Sequence, residues 1–202
     1  MKSSFTVRDL VYIAVFGALW GTLEITLGAY MHVLFPPLAD TFLIGVIMAG
    51  LGSVIVLVGR YFVPHTGAAV AIGIITALLK ALSLGGVQIG PMVAIVAEAL
   101  LIELALLGVR QPSLWRSILG GALAVSWNFF HKFVMMRLLY GRRIGEVYTQ
   151  MVQDGSAFLG LDVRYAVAII VVLLLVRVAV GALAGWLGWD LGRLVSRRLA
   201  RT

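Results

Sequence analysis

The sequence predicts an all-α integral membrane protein with six transmembrane helices and with both termini in the cytoplasm. Of its 202 residues, 61% are hydrophobic and 12% are charged, and the mean hydropathy is +1.04. An average soluble domain carries about 25% charged residues. Apolar runs long enough to span a bilayer recur along the whole chain, and Lys and Arg flank them. We therefore expect residues 1–202 to form a single transmembrane domain.

Six apolar segments are the predicted spans: 9–30, 41–62, 66–84, 91–108, 113–140 and 163–191. The first apolar run continues past Glu24 without a small-residue cleavage site, so we expect a transmembrane helix there rather than a cleaved signal peptide. The one long connector, 141–162, is polar. We expect it to lie outside and to form a short interfacial helix or a lid.

The distribution of basic residues predicts the orientation and accounts for the net charge of +7. With the amino terminus in the cytoplasm, nine basic residues lie inside: Lys2, Arg8, Arg60, Arg110, Arg116, Arg193, Arg197, Arg198 and Arg201. The connectors after the first and third spans contain no Lys or Arg. Membrane topology and anionic lipid headgroups thus explain the charge, and nucleic acid is not an expected partner. Arg142, Arg143 and Arg164 in the outer connector are the exception, and ligand binding is one candidate reason.

Several ionisable residues interrupt the apolar spans. Counting along the helices places Glu24, Lys80 and Glu98 in the outer half of the membrane. Glu103 lies deeper, where it would be buried in the protonated form or paired with Arg177. An ionisable residue inside a membrane indicates a functional site by default.

The fifth span adds a polar segment near its outer half. Trp127 and Asn128 lie near the middle of the span, and His131 and Lys132 lie further out. Spacings of three and four place Asn128, His131 and Lys132 on one helix face. Trp127 lies away from the interface and is the best candidate to stack on a ring of a ligand.

Structural roles compete with binding at each of these positions. Lys80 and Lys132 could extend to the outer headgroups. Glu24 and Glu98 could simply pair with one of these lysines, and His131 could be a hydrogen-bonded core residue. If the residues bind a ligand, the mixture of charges favours a zwitterion or a weakly acidic ring compound over a plain cation.

The sequence shows little that points to catalysis. It has no Cys, no cluster of His residues, and none of the motifs HExxH, GxSxG or the P-loop. We therefore expect no catalytic residues, no metal site and no cofactor, and a binding protein fits better than an enzyme.

The first span carries two stripes of small residues. Ala14 and Ala18 are four residues apart, and so are Gly17 and Gly21. Such stripes let helices approach closely, either inside one protein or at a contact with another.

With about 200 residues, six spans, a basic amino terminus and AxxxA in the first helix, the chain resembles the substrate-binding S component of an energy-coupling factor (ECF) transporter. The segment GAAVAIGIITALLKALSLGG followed by GPMVAIVAEAL, within about 67–98, is similar to the YkoE-type S components, which are associated with thiamine or its hydroxymethylpyrimidine precursor. Lys80 stands where the YkoE-type pattern has an acidic residue.

This resemblance implies a multi-pass protein of the cell membrane that captures a vitamin or related micronutrient at the outer face. Its partners would be a transmembrane coupling subunit, docked through Ala14 and Ala18, and two cytoplasmic ATPases, together with membrane lipids. The substrate would meet the residues singled out above: Glu24, Lys80, Glu98, Trp127, Asn128, His131 and Lys132. Three alternatives stay open: a membrane enzyme acting on a lipid or isoprenoid, a stand-alone proton-coupled carrier or channel, and a structural subunit.

Overall fold

A computed structural model describes residues 5–34, 43–83, 89–141 and 143–199, and the side chains of all of these except 32–34, 139, 140 and 199. The described residues form seven α-helices: α1 (Val7–Leu34), α2 (Gly45–Phe62), α3 (Ala68–Lys80), α4 (Ile89–Ala105), α5 (Leu114–Tyr140), α6 (Ile144–Leu159) and α7 (Ala166–Leu199). A 3₁₀ turn, Val163–Tyr165, precedes α7. The predicted all-α fold is confirmed.

The six predicted spans correspond to α1 to α5 and α7, with shifted ends. Residues 41, 42 and 84 of the predicted spans lie outside the described residues. The last helix continues to Leu199, past the expected end at 191. Within the described residues, three segments are long and apolar enough to cross a membrane: Val7–Met31, Gly45–Phe62 and Val163–Arg198. The count of six spans and the side on which the termini lie stay predictions.

The connector 141–162 contains a helix, α6, and a helix was one of the two forms expected for it. This helix follows Gly141, which ends α5, and is itself ended by Gly160; the φ values of +62° and +66° at these two positions suit glycine because it lacks a Cβ. Its buried face includes Val147 and Met151, which pack with Phe129 of α5 and residues of α7. A lid role for this helix stays a prediction.

The helices pack into one bundle. Helix α7 lies along α2 and α5, α4 lies between α3 and α5, and α1 packs on α3 and α2. One end of the bundle, here called the terminal end, holds the start of α1, the α2–α3 and α4–α5 connectors and the end of α7. The opposite end, called the distal end, holds the end of α1, the start of α2, the end of α3 and the start of α4.

A capping box begins α1, although the sequence analysis did not identify it. The Thr6 backbone N–H donates to Asp9 Oδ2 at 2.9 Å, and the Asp9 N–H donates to Thr6 Oγ1 at 3.2 Å. His65 Nδ1 lies 3.5 Å from Asp9 Oδ2, so the same carboxylate also connects α1 to the α2–α3 connector. The signal was the Thr-x-x-Asp spacing just before the apolar run.

Glu103 pairs with Arg60 rather than with Arg177, which corrects the sequence-based pairing. The Arg60 side chain is fully buried, and its Nη2 lies 3.9 Å from Glu103 Oε1. Glu103 Oε2 accepts from the Ala69 backbone N–H at 2.9 Å, in the first turn of α3, where a negative charge is favoured. Arg177 lies over the Phe129 ring, 5.2 Å from its centroid. Arg60, expected at the inner interface, is therefore a core residue, because Glu103 and backbone carbonyls compensate its charge.

The two small-residue stripes of α1 face different surroundings. A Cβ added at Gly17 would lie 2.7 Å from Ile75 Cγ2, and one at Gly21 would lie 2.7 Å from Leu79 Cδ1. The glycine stripe is therefore the close contact between α1 and α3. Ala14 and Ala18 are exposed on the outer surface of the bundle.

The backbones of α5 and α7 lie in very close contact, and a substitution there tests the packing of the bundle. A Cβ at Gly121 of α5 would overlap the Gly181 carbonyl oxygen and lie 2.9 Å from the Gly185 backbone N of α7. We expect Gly121→Ala to lower the free energy of unfolding in detergent by about 1–3 kcal/mol, because the backbones would have to separate. Gly145→Ala is the matched control, because a Cβ at Gly145 meets open space. Equal stability of the two variants in thermal unfolding would contradict this packing.

Candidate ligand-binding site

A cavity of about 220 Å³ opens near the distal end of the bundle, among helices α1 to α5. Its polar lining residues are Glu24, Lys80, Glu98, Asn128 and His131. All five were singled out from the sequence. The remaining lining residues are apolar or lack a side chain: Gly28, Ile44, Gly45, Met48, Ala49, Pro91, Ala94 and Ile95.

Lys80 and Glu24 form an ion pair on one wall of this cavity. Lys80 is the last residue of α3, and its Nζ donates to the Glu24 carbonyl oxygen at 2.9 Å. The same Nζ lies 3.5 Å from Glu24 Oε2, and the two side chains are only 11% and 10% exposed. Lys80 therefore points into the bundle, toward a partner, instead of extending to the headgroups.

Glu98 lies on α4, two turns beyond Pro91, and is 4% exposed. The Asn128 amide of α5 lies beside its carboxylate, and Glu24 is near enough to act on it electrostatically. A Cβ at Gly45 of α2 would overlap the Asn128 amide. The glycine therefore leaves the space that lets Asn128 sit beside Glu98.

His131 lies one turn after Asn128, in the cavity wall and beside Gly90. Its ring is 6.3 Å from that of Trp127, centroid to centroid, at an interplanar angle of 58°. Among the described residues, the buried His131 Nε2 and Trp127 Nε1 make no hydrogen bond. Buried polar atoms are usually partnered, so these two atoms are available to a bound molecule that can reach them.

Two of the seven predicted substrate residues do not line the cavity. Trp127 and Lys132 are both half-buried on α5, and neither contributes to the cavity wall. Successive residues of a helix are about 100° apart around its axis. Because Asn128 and His131 face the cavity, their direct neighbours in sequence turn away from it.

The sequence analysis missed the apolar part of the wall. Gly45 and Met48 of α2 and Ala94 of α4 carry no charge and no motif. The one available signal was position, because these residues begin two helices at the end where the charged residues gather.

The chemistry of the wall is that of a binding site for a small polar molecule. A small number of polar groups converge on a mostly apolar cavity, as in most small-molecule sites. The Lys80 ammonium is already engaged by Glu24, which leaves Glu98 and Asn128 as the acceptor and donor pair that faces the cavity. In the described part of the chain, no group of three or more His, Asp or Glu residues could hold a metal ion.

A family model described as "Hypothetical bacterial integral membrane protein (Trep_Strep)" matches residues 7–193. The chain belongs to the Trep_Strep family. This family is one of integral membrane proteins, and the predicted membrane location is confirmed.

Among solved structures, this Trep_Strep protein is similar to one titled "Crystal structure of an S-component of ECF transporter". The TM-score is 0.61 at 21% sequence identity, and the match covers 98% of this chain and 87% of the other. The resemblance noted in the sequence is thus confirmed for the fold. No curated protein matches the sequence.

The Glu24–Lys80 pair can be tested through stability. Lys80→Met leaves a carboxylate in the bundle without its ammonium, and we expect the free energy of unfolding to fall by about 3 kcal/mol. The double variant Glu24→Gln/Lys80→Met removes both charges and should recover at least half of that loss. Thermal unfolding in detergent measures both effects. Losses that simply add in the double variant would show that the two side chains are not coupled.

Proposed function

We propose that this protein is the substrate-binding S component of an ECF-type importer, and that it captures a small vitamin-like molecule in the distal cavity. The S-component fold and membership of an integral membrane family support the proposal. The observation that carries it is the arrangement of Glu98 and Asn128 beside a cavity rather than beside a structural partner such as an arginine.

The two buried carboxylates of α4 differ in a way that supports binding. At the terminal end, Arg60 and the Ala69 backbone N–H compensate the charge of Glu103. Toward the distal end, Glu98 faces the cavity and the Asn128 amide. A buried charge is costly unless it has partners, so Glu98 is better explained if a ligand completes its hydrogen bonds.

The proposed topology has six spans, with the terminal end in the cytoplasm and the distal end outside. Arg8, Arg110, Arg116 and the arginines at the end of α7 all belong to the terminal end, as the positive-inside rule requires. The cavity then lies in the outer half of the membrane, where a substrate can enter. Helix α6 lies at the same outer end, and a lid formed by it would close over the substrate.

The substrate in this proposal is a small polar molecule with hydrogen-bond donors. Glu98 accepts from it, and Asn128 supplies directional hydrogen bonds. His131 adds a polar atom to the wall, while Lys80 holds Glu24 in place. Trp127 and Lys132 lie behind this wall, so their proposed contributions depend on rotation of their side chains toward the substrate.

Coupling to transport would use the exposed face of α1. Ala14 and Ala18 leave a flat surface on this helix, with Leu10, Val15 and Leu19 exposed beside it. A helix of a transmembrane coupling subunit can approach closely on such a surface. Two cytoplasmic ATPases bound to that subunit would supply the energy for uptake.

The structure disfavours one alternative, a proton relay through the bundle. The stand-alone proton-coupled carrier would need such a relay, and its candidate members are Glu24, Glu98, Glu103, His131 and Arg177. However, Glu103 turns toward α2 and α3, where Arg60 and the Ala69 N–H bind it, whereas Glu98 turns toward α5. The two groups therefore belong to separate networks.

Release of the bound molecule from the purified protein tests the proposal. We expect denaturation of the wild-type protein to release a small polar molecule in stoichiometric amount, detectable by mass spectrometry. Glu98→Gln should reduce the amount retained by about 10-fold or more, because the neutral amide is a weaker acceptor for the donors of the ligand.

The control for this measurement is Asp190→Asn, the same carboxylate-to-amide change at the terminal end of the bundle, where Asp190 pairs with Arg193. It should retain as much ligand as the wild type. Equal retention by Glu98→Gln would remove Glu98 from the site. Release of a lipid or isoprenoid, together with turnover by the purified chain, would favour the enzyme instead.

Docking can be separated from binding. The double variant Ala14→Trp/Ala18→Trp should lose co-purification with the coupling subunit by about 10-fold or more, because bulky rings prevent close helix contact. It should still retain the small molecule. Ala168→Trp, at an exposed position near the start of α7, is the matched control and should assemble normally. Normal assembly of the double variant would place the docking surface elsewhere.

A further inference from the structure

A second cavity, of about 420 Å³, lies at the terminal end of the bundle, away from the proposed substrate site. Its walls come from Tyr61 at the end of α2, the α4–α5 connector and the last turns of α7. The α7 residues that line it are Trp189, Arg193, Ser196 and Arg197. Nothing in the proposed import function assigns a role to this cavity.

Arg193, which lines this cavity, is held in a defined position. Its guanidinium lies over the Trp189 ring, 4.3 Å from the centroid, and Nη2 lies 3.1 Å from Asp190 Oδ1. The buried Nε makes no hydrogen bond within the described part of the chain. Stacking on an aromatic ring orients the planar donor group in advance, which lowers the cost of binding an anion.

The opposite wall is also fixed. The Tyr61 hydroxyl donates to the Pro112 carbonyl oxygen at 3.0 Å, which ties α2 to the α4–α5 connector. A Cβ at Gly192 would lie 2.7 Å from Tyr61 Cε2, so this glycine lets α7 approach the ring. The cavity is therefore a built feature of three packed segments rather than a gap between mobile side chains.

The charge of the cavity favours an anion. Two guanidinium groups, those of Arg193 and Arg197, stand against the single carboxylate of Asp190. The Ser196 hydroxyl already donates to the Arg193 carbonyl oxygen at 3.1 Å, so the two guanidinium groups are the donors that an anion would meet. Arginine pairs suit phosphate oxygens, because each guanidinium can donate two parallel hydrogen bonds.

Its position favours a phosphate that is attached to a lipid. The cavity lies at the end of the apolar segment Val163–Arg198, where a spanning helix reaches the headgroups. Trp186 is one turn closer to the middle of this segment, on the same side of α7 as Trp189, and is 44% exposed. Acyl chains can lie along Trp186 while the headgroup reaches the arginines.

We propose that this cavity, formed by Tyr61, Trp189, Arg193 and Arg197, binds the phosphate group of an anionic phospholipid. The bound lipid would hold the end of α7 against α2 and the α4–α5 connector at one membrane surface.

Native mass spectrometry of the full chain tests this site, with phosphatidylglycerol and phosphatidylcholine as probes. We expect the wild-type protein to retain more phosphatidylglycerol than phosphatidylcholine. The double variant Arg193→Gln/Arg197→Gln should retain about 10-fold less of it, because the charge-assisted hydrogen bonds are lost. Arg198→Gln is the matched control, since Arg198 is exposed and does not line the cavity, and it should match the wild type.

A second arm identifies the source of the phosphate. Addition of inorganic phosphate should not displace the lipid from the wild-type protein. If inorganic phosphate displaced the lipid at a concentration equal to that of the lipid, the cavity would be assigned to a soluble phosphate compound. That result would overturn the lipid proposal. A loss of lipid in Arg198→Gln that is half or more of the loss in the double variant would also overturn it, because net charge alone would then explain binding.

A third variant guards against misfolding. Arg193→Lys keeps the charge but loses the planar group that stacks on Trp189, so its retention of phosphatidylglycerol should fall between wild type and the double variant. Unfolding temperatures of all variants should stay close to wild type without added lipid. Retention of phosphatidylglycerol by a folded double variant at the wild-type level would refute the site.

Discussion

The constraint on which this structure depends is that an apolar bundle must compensate its buried charges internally. At the terminal end one network does so, although Arg60 Nε and Glu103 Oε1 make no hydrogen bond within the described part of the chain. Arg60 is completely buried, yet it donates to the Val63 carbonyl oxygen at 2.8 Å and pairs with Glu103, which in turn accepts from the first turn of α3. This network joins α2, α3 and α4. Arg60 can occupy the core because the Glu103 carboxylate, which lies at the start of α3, compensates its charge.

The same constraint makes the distal end different. The charges of Glu24 on α1 and Lys80 on α3 compensate each other. The Glu98 carboxylate instead faces the cavity and the Asn128 amide. A protein selected only for stability gains little from such an arrangement, because apolar residues of similar volume would pack as well or better. We therefore interpret the distal cavity as the functional end of the bundle and the terminal network as its structural counterpart.

Depth along the helices was predictable, whereas direction around them was not. Residue counting placed Glu24, Lys80, Glu98 and His131 in the outer half of the membrane and Asn128 near the middle of its span, and the structure brings all five to one cavity. The pairing of Glu103 with Arg60 depends on how each helix is rotated about its axis and on which helices are neighbours. Neither can be predicted from one apolar sequence whose helices lack a clear polar face. The apolar wall at Gly45 and Met48 was missed for the same reason.

The central claim is that a molecule other than protein completes the hydrogen bonds of Glu98. An experimental structure of the chain, purified in detergent directly from cells and without added ligand, tests it most directly. The account predicts density for a small molecule in the distal cavity, within hydrogen-bonding distance of Glu98 and Asn128. A cavity filled by ordered water alone, or a Glu98 carboxylate bound to a basic side chain of the protein, would contradict it.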